Sequence, residues 1–203
     1  MTSTITGIFA TPISVSNIDR EFTDNEGNFF TSHLDDMMRN VSNFTSINRN
    51  ILDSDELIEL KSLIEEKLNL FYREIYSPAG NSKLVVTQSW LNLTRCGESH
   101  HRHNHPNSFV SGVLYLKSDK NLDKILFHKA GYEQILIEPT QITAYNCKDV
   151  GFSVTTGDLV LFPSSVIHSV SPTQSNFRIS LAFNSFIKGQ IGDSVLLSEL
   201  TIN

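Results

Sequence analysis

From Lys83 onward the chain is a succession of short apolar segments set too close together for helices to fit between them. The segments that read as strands are 84–95, 109–117, 124–128, 134–137, 152–155, 158–162, 166–170 and 177–187. Gly, Pro, Asn and Ser punctuate them, as expected of strand ends and turns. A parallel pair needs a long crossover, so gaps this short demand antiparallel neighbours. Eight such strands predict a mainly β fold, a sandwich or jelly-roll barrel of cupin-like form, with flanking α-helices packed outside.

Those helices come from the first half. Asp53 followed by Glu56 resembles a capping box, and Leu57, Leu60, Ile64, Leu68, Phe71 and Ile75 recur at helical spacing. The pattern predicts a scaffold helix over 53–76, ended by the turn Ser77-Pro78-Ala79-Gly80-Asn81. A second helix is expected over 29–41 and a short strand over 5–10. No repeat, charge block or low-complexity linker interrupts the chain. At 203 residues the economical reading is one domain over 1–203, with a helical support region at about 29–76 and a barrel core at about 84–187.

Composition narrows the function classes. Sixteen basic against 22 acidic residues leave a net charge of −6, which disfavours a nucleic-acid partner. No apolar stretch approaches the length of a membrane span, and the residues MTSTITGIFATPISVS lack the basic start of a signal peptide. Cys96 and Cys147 form no CxxC pair and suggest no disulfide framework. They are expected as buried or half-buried thiols in a reducing cytoplasm. Monomer and homodimer both remain open.

The chemistry concentrates in histidine. Of seven in the chain, His100, His101, His103 and His105 fall within six positions. In an extended segment residues two apart point the same way, so His101, His103 and His105 would share one face and His100 would lie on the other. Two imidazoles so placed can converge on iron, copper, nickel or zinc. A polar loop that happens to be rich in histidine is the competing reading.

His168, in GDLVLFPSSVIHSV, adds a distant candidate. If Ser171–Ser175 is a hairpin turn centred on Thr173, residues whose numbers sum to 346 face one another, and His168 lies opposite Arg178. On the last strand Arg178, Ser180, Ala182 and Asn184 share one face, while Phe177, Ile179, Leu181 and Phe183 share the other. The first face is a poor core and a good pocket wall, with an arginine fork that matches a carboxylate. Tyr115 could point its hydroxyl into the same space.

Together these segments resemble the Fe(II)- and 2-oxoglutarate-dependent dioxygenases, and in particular a bacterial and phage branch of that superfamily. The likeness rests on SWLN, HxHPNSxxSGVxYL, GDLVLFPSxxxHxV and RxSxxFN, in order, between about Ser89 and Phe186. It implies a double-stranded β-helix and the cofactors Fe(II) and 2-oxoglutarate. It also implies metal ligands His103, His105 and His168, and co-substrate contacts from Arg178, Ser180 and Tyr115. One departure stands out: the family's middle ligand is usually Asp or Glu, and here it is His105. A register using His105, Asn107 and His168 is the alternative.

The activity implied is oxidative decarboxylation of 2-oxoglutarate coupled to hydroxylation of a small-molecule or protein substrate of unknown identity. The rivals are a cupin-like metal enzyme that uses no oxo acid, and a non-catalytic binding barrel. The connections 118–131 and 138–151 would shape the substrate mouth.

Overall fold

The computed structural model describes residues 3–130 and 137–203. Its elements in chain order are β1 (Ser14–Asn17), α1 (Asp24–His33), β2 (Met37–Arg39), β3 (Phe44–Ser46), α2 (Ile58–Tyr76), β4 (Lys83–Arg95), β5 (His100–His103), β6 (Val110–Lys117), β7 (Lys124–His128), β8 (Asp149–Ser153), β9 (Asp158–Pro163), β10 (His168–Val170), β11 (Phe177–Ile191) and β12 (Leu200–Ile202). The ladders joining these strands are antiparallel. The larger sheet runs β1-β9-β6-β11-β4-β3-β2, with β12 on the far end of β11, and the smaller runs β5-β10-β7-β8. The fold is mainly β with flanking helices, as the strand pattern requires.

Strict alternation along three central strands of the larger sheet builds two layers at once. Leu114, Leu159, Leu161, Leu181 and Phe183 face α2, whose Leu60, Ile64 and Leu68 are fully buried against them. Tyr115, Val160 and Phe162 face the other way and pack on Ile125 and Phe127 of the smaller sheet. The larger sheet is thus covered on both faces, and the polar residues of β11 lie in the gap between the sheets.

Local chemistry departs from the sequence reading at several points. The expected strand over 5–10 does not form; residues 3–13 are irregular, with Ile5, Ile8 and Phe9 exposed. The expected helix over 29–41 starts earlier and ends at His33, and Met37–Arg39 pairs with β3 instead. Its start is set by a capping box at Thr23: Glu26 N donates to Thr23 Oγ1 at 3.2 Å, and Thr23 N donates to Glu26 Oε2 at 2.9 Å. Thr23→Ala removes one arm of this box and is expected to cost about 1 kcal/mol in urea unfolding.

The long helix has no such start. Residues 51–53 and 55–57 form two tight 3-10 turns, and the Asp53 carboxylate accepts from Lys61 Nζ at 2.7 Å rather than capping. Ile75, at the end of the stripe, is exposed. Residues 134–136 of the candidate strand 134–137 lie outside the described residues. Cys147 is half-buried but Cys96 is exposed, against the sequence expectation. Among the described residues no helix is long and apolar enough to cross a membrane.

Candidate metal centre and its cavity

Three imidazoles meet where the smaller sheet faces the larger. His103 ends β5, His105 follows two residues later, and His168 begins β10, with its Cα paired to that of His103. One ring nitrogen from each lies within 4.8 Å of the others. The backbone of His105 is tied to the end of β9 by its N–H donating to Ser164 O at 2.9 Å. Pro106 then turns the chain, and Asn107 sits exposed at φ 59°, outside the cavity wall. The geometry therefore assembles His103 with His105 and leaves Asn107 aside.

Hydrogen bonds fix how two of these rings present themselves. His103 Nδ1 lies 2.8 Å from His101 O, and His168 Nδ1 lies 3.1 Å from Val166 O. A carbonyl can only accept, so each Nδ1 carries the proton and each Nε2 presents a lone pair. Backbone partners of this kind orient metal-ligating histidines. His105 Nε2 and His168 Nε2 stand 3.4 Å apart, so His105 either donates its Nε2–H to His168 or turns a third lone pair toward a shared cation. Burial, assisted by the neighbouring imidazoles, pushes His105 down to about 4 and His168 down to about 3, and burial lowers His103 as well. All three are neutral and available at physiological pH. This donor set fits a divalent transition metal.

The other side of the cavity, about 30 Å³ in volume, is polar. Arg178 is 3% exposed; its Nη1 donates to Asp123 Oδ1 and its Nη2 to Thr94 Oγ1, each at 3.3 Å. Tyr115 is 1% exposed, its hydroxyl has no hydrogen-bond partner among the described residues, and burial pushes it up to about 12. Ser180 lies between the two neighbouring strands, its Cα paired to those of Tyr115 and Asn92. Asn92 was not singled out from the sequence, although it stands in the SWLN segment. It lines the cavity, and its Oδ1 is also unpartnered. A buried hydroxyl and a buried amide oxygen without partners are costly unless a ligand meets them.

The structure corrects two steps of the sequence reading. His168 and Arg178 are not hairpin partners: His168 pairs with His103 and Phe127, whereas Arg178 pairs with Thr94. Residues 171–176 cross from one sheet to the other, so the two side chains reach the same cavity from facing walls. Likewise His100 is not on the far face. His168 pairs with His103 and Val170 with His100, so three steps on β5 oppose two on β10. That bulge reverses the alternation. His100 therefore lines the cavity and stacks on His103 at 4.5 Å between ring centroids, while His101 is exposed. His128 instead bonds Ser169 Oγ through Nε2, and His33 bonds Phe29 O in the last turn of α1.

Comparison with known proteins now bears on this arrangement. Residues 88–184, which include all three histidines and Arg178, match the model of a family described as "Putative 2OG-Fe(II) oxygenase". Over that stretch, just under half of its length, the chain is similar to the 2OG-Fe(II) oxygenases. No curated protein sequence matches the chain. Solved structures similar to it include HygX from Streptomyces hygroscopicus with nickel and 2-oxoglutarate bound, at 13% identity and TM-score 0.58, covering 86% of this chain and 82% of that one. A Pseudomonas putida prolyl-4-hydroxylase aligns at 15% identity and TM-score 0.54, covering 86% and 92%. The SnoN epimerase from nogalamycin biosynthesis aligns at 10% identity and TM-score 0.60, covering 87% and 78%. At these identities the likeness establishes the fold, a double-stranded β-helix.

Proposed function

We propose that this protein is an oxygenase that holds Fe(II) on His103, His105 and His168, binds 2-oxoglutarate against Arg178, and hydroxylates a C–H bond of a second substrate. The observation that carries the reading is the cavity itself, with three neutral imidazoles on one wall and a buried guanidinium beside an unpartnered tyrosine hydroxyl on the facing wall. Bound Fe(II) would supply the chemistry by which O2 decarboxylates the oxo acid to succinate and CO2 and one oxygen atom enters the second substrate.

The protein's own part is binding and orientation. The carbonyls of His101 and Val166 hold two ligand rings in the tautomer that offers Nε2. Arg178 presents a planar fork to the carboxylate remote from the keto group, and burial strengthens the attraction between the two charges. Tyr115 donates its hydroxyl hydrogen to the same carboxylate, with Ser180 beside it. Its proton stays in place because burial disfavours the phenolate. Trp90, Val113 and Ala182 complete the wall and keep water from the reacting centre.

The acidic balance favours a small-molecule or protein substrate over nucleic acid, and the two unpaired cysteines suit a reducing cytoplasm. The test is anaerobic calorimetry of 2-oxoglutarate on the Fe(II)-loaded protein, followed by succinate formation on admitting O2. Arg178→Ala should weaken 2-oxoglutarate binding by about 100-fold, the scale of a buried charged hydrogen bond at 2–3 kcal/mol. Unchanged binding in that variant would show that Arg178 is not the clamp, and no binding by the wild type would instead favour a metal enzyme of this fold that uses no oxo acid.

A further inference from the structure

Behind Arg178, on the side away from the cavity, lies a buried carboxylate that the reaction above does not use. Asp123 closes the tight turn between β6 and β7 and is 1% exposed. Its Oδ1 accepts from Thr173 Oγ1 and, at 3.3 Å, from Arg178 Nη1. Its Oδ2 accepts from Asp119 N at 3.0 Å, Ser118 Oγ at 3.2 Å and Ser175 Oγ at 3.3 Å. Burial alone would raise this carboxyl, but the donors outweigh it and hold the group below the usual carboxylate range, so it is ionised.

Four of those five donors would fix Asp123 without Arg178. The carboxylate is therefore a post set by its own surroundings, and the guanidinium is docked against it. The post also holds Thr173 and Ser175, which belong to the crossover running from His168 to Arg178. One group thus anchors the middle of that crossover and its Arg178 end.

We infer that Asp123 is a positioning residue that fixes how far the Arg178 guanidinium stands from the histidine triad, and so sets the chain length of the oxo diacid this site accepts. The inference rests on the proposed role of Arg178 as the carboxylate clamp. A fixed fork rewards only the diacid whose far carboxylate reaches it with the keto acid seated at the metal; a released fork tolerates a longer one.

The experiment compares wild type, Asp123→Asn and Asp123→Ala, each loaded with Ni(II), by calorimetry with 2-oxoglutarate, oxaloacetate and 2-oxoadipate. Asn keeps the volume of the post and guards against a failure of the Ala variant to fold. Wild type is expected to prefer the five-carbon diacid. In both variants the ratio of Kd for 2-oxoadipate to Kd for 2-oxoglutarate should fall at least tenfold, while Ni(II) affinity stays within about threefold. A merely structural role would shift the diacids together, or weaken Ni(II) with them. If wild type discriminates and Asp123→Asn keeps the same ratio, the inference is overturned and the clamp stands. If wild type binds none of the three diacids, the oxygenase reading fails and takes the inference with it.

Discussion

His168→Ala is expected to abolish tight divalent-metal binding and with it all 2-oxoglutarate-dependent succinate formation. Three imidazoles are the donor set that meets at one point among the described residues, so losing one leaves a two-point site open to water. Disturbing only the groups that orient a ligand typically costs 10- to 100-fold in affinity, so removing the ligand itself should cost more than about 100-fold. The backbone pairing of His168 with His103 and Phe127 does not need the side chain, and the variant should keep its sheet. Titration with Fe(II) or Co(II), with circular dichroism as the folding control, is the measurement. His105→Asp gives the informative contrast. It restores the two-histidine, one-carboxylate set of many non-haem iron oxygenases, so metal should remain bound where His105→Ala loses it. Retention of wild-type affinity in His168→Ala would mean that the three nitrogens meet for another reason.

Gly112→Ala should be strongly damaging to the core of the fold. A Cβ at Gly112 would stand 2.2 Å from Phe183 Cζ and within 2.8 Å of both adjacent ring carbons. Phe183 is fully buried, and its Cα is paired directly to that of Gly112 across β6 and β11. The ring cannot swing away, because α2 and its leucines close the layer beyond it. Overpacking of this sort costs about 1–3 kcal/mol, and the enclosed ring puts this case near 3. The shift in urea midpoint at constant m-value reads it directly, and a loss below 1 kcal/mol would show that the layer can yield. The glycine of the SGV segment is thus a packing requirement. Its neighbour Tyr115 lies on the same strand, so a displaced β6 should also depress 2-oxoglutarate binding.

Much of the site could be read from residues alone because it depends on strand periodicity. The two faces of 177–184 separate as expected: Leu181 and Phe183 pack toward α2, while Arg178, Ser180 and Ala182 line the cavity. What periodicity could not supply were its local exceptions. A bulge on β5 carries His100 to the cavity and His101 to solvent. A second irregularity, at Thr87 on β4, reverses the alternation there, so that Leu84 and Val86 before it and Leu91 after it all face α2. One inserted residue flips every later side chain, and nothing in the amino-acid types announces it. The hairpin deduction failed at a different level. The turn residues at 171–175 were recognised, but a turn signal does not say whether the next strand pairs with the last or leaves for another sheet.

Asp123 shows the same limit. In the sequence it is one acidic residue among polar ones in a turn, where solvent exposure is the ordinary expectation. Its burial depends on Thr173, Ser175 and Arg178, each at least 50 positions away. The capping boxes make the complementary point. Thr23-x-x-Glu26 and Asp53-x-x-Glu56 offer similar local patterns, yet only the first caps a helix: Asp53 lies inside a 3-10 turn, five residues before the helix begins.

The sequence by itself determined the class of fold, the inward and outward faces of its central strands, and the histidines and arginine worth watching. These follow from hydrophobic alternation, turn chemistry and the donor properties of side chains, all of which act over a few residues. Only the tertiary structure decided which walls face each other across the cavity, that His105 rather than Asn107 joins His103 and His168, and that a buried aspartate stands behind the guanidinium. Each of those depends on which sheet a strand joins and in what register. Contacts more than 50 residues apart set that choice, and local preference is nearly indifferent to it.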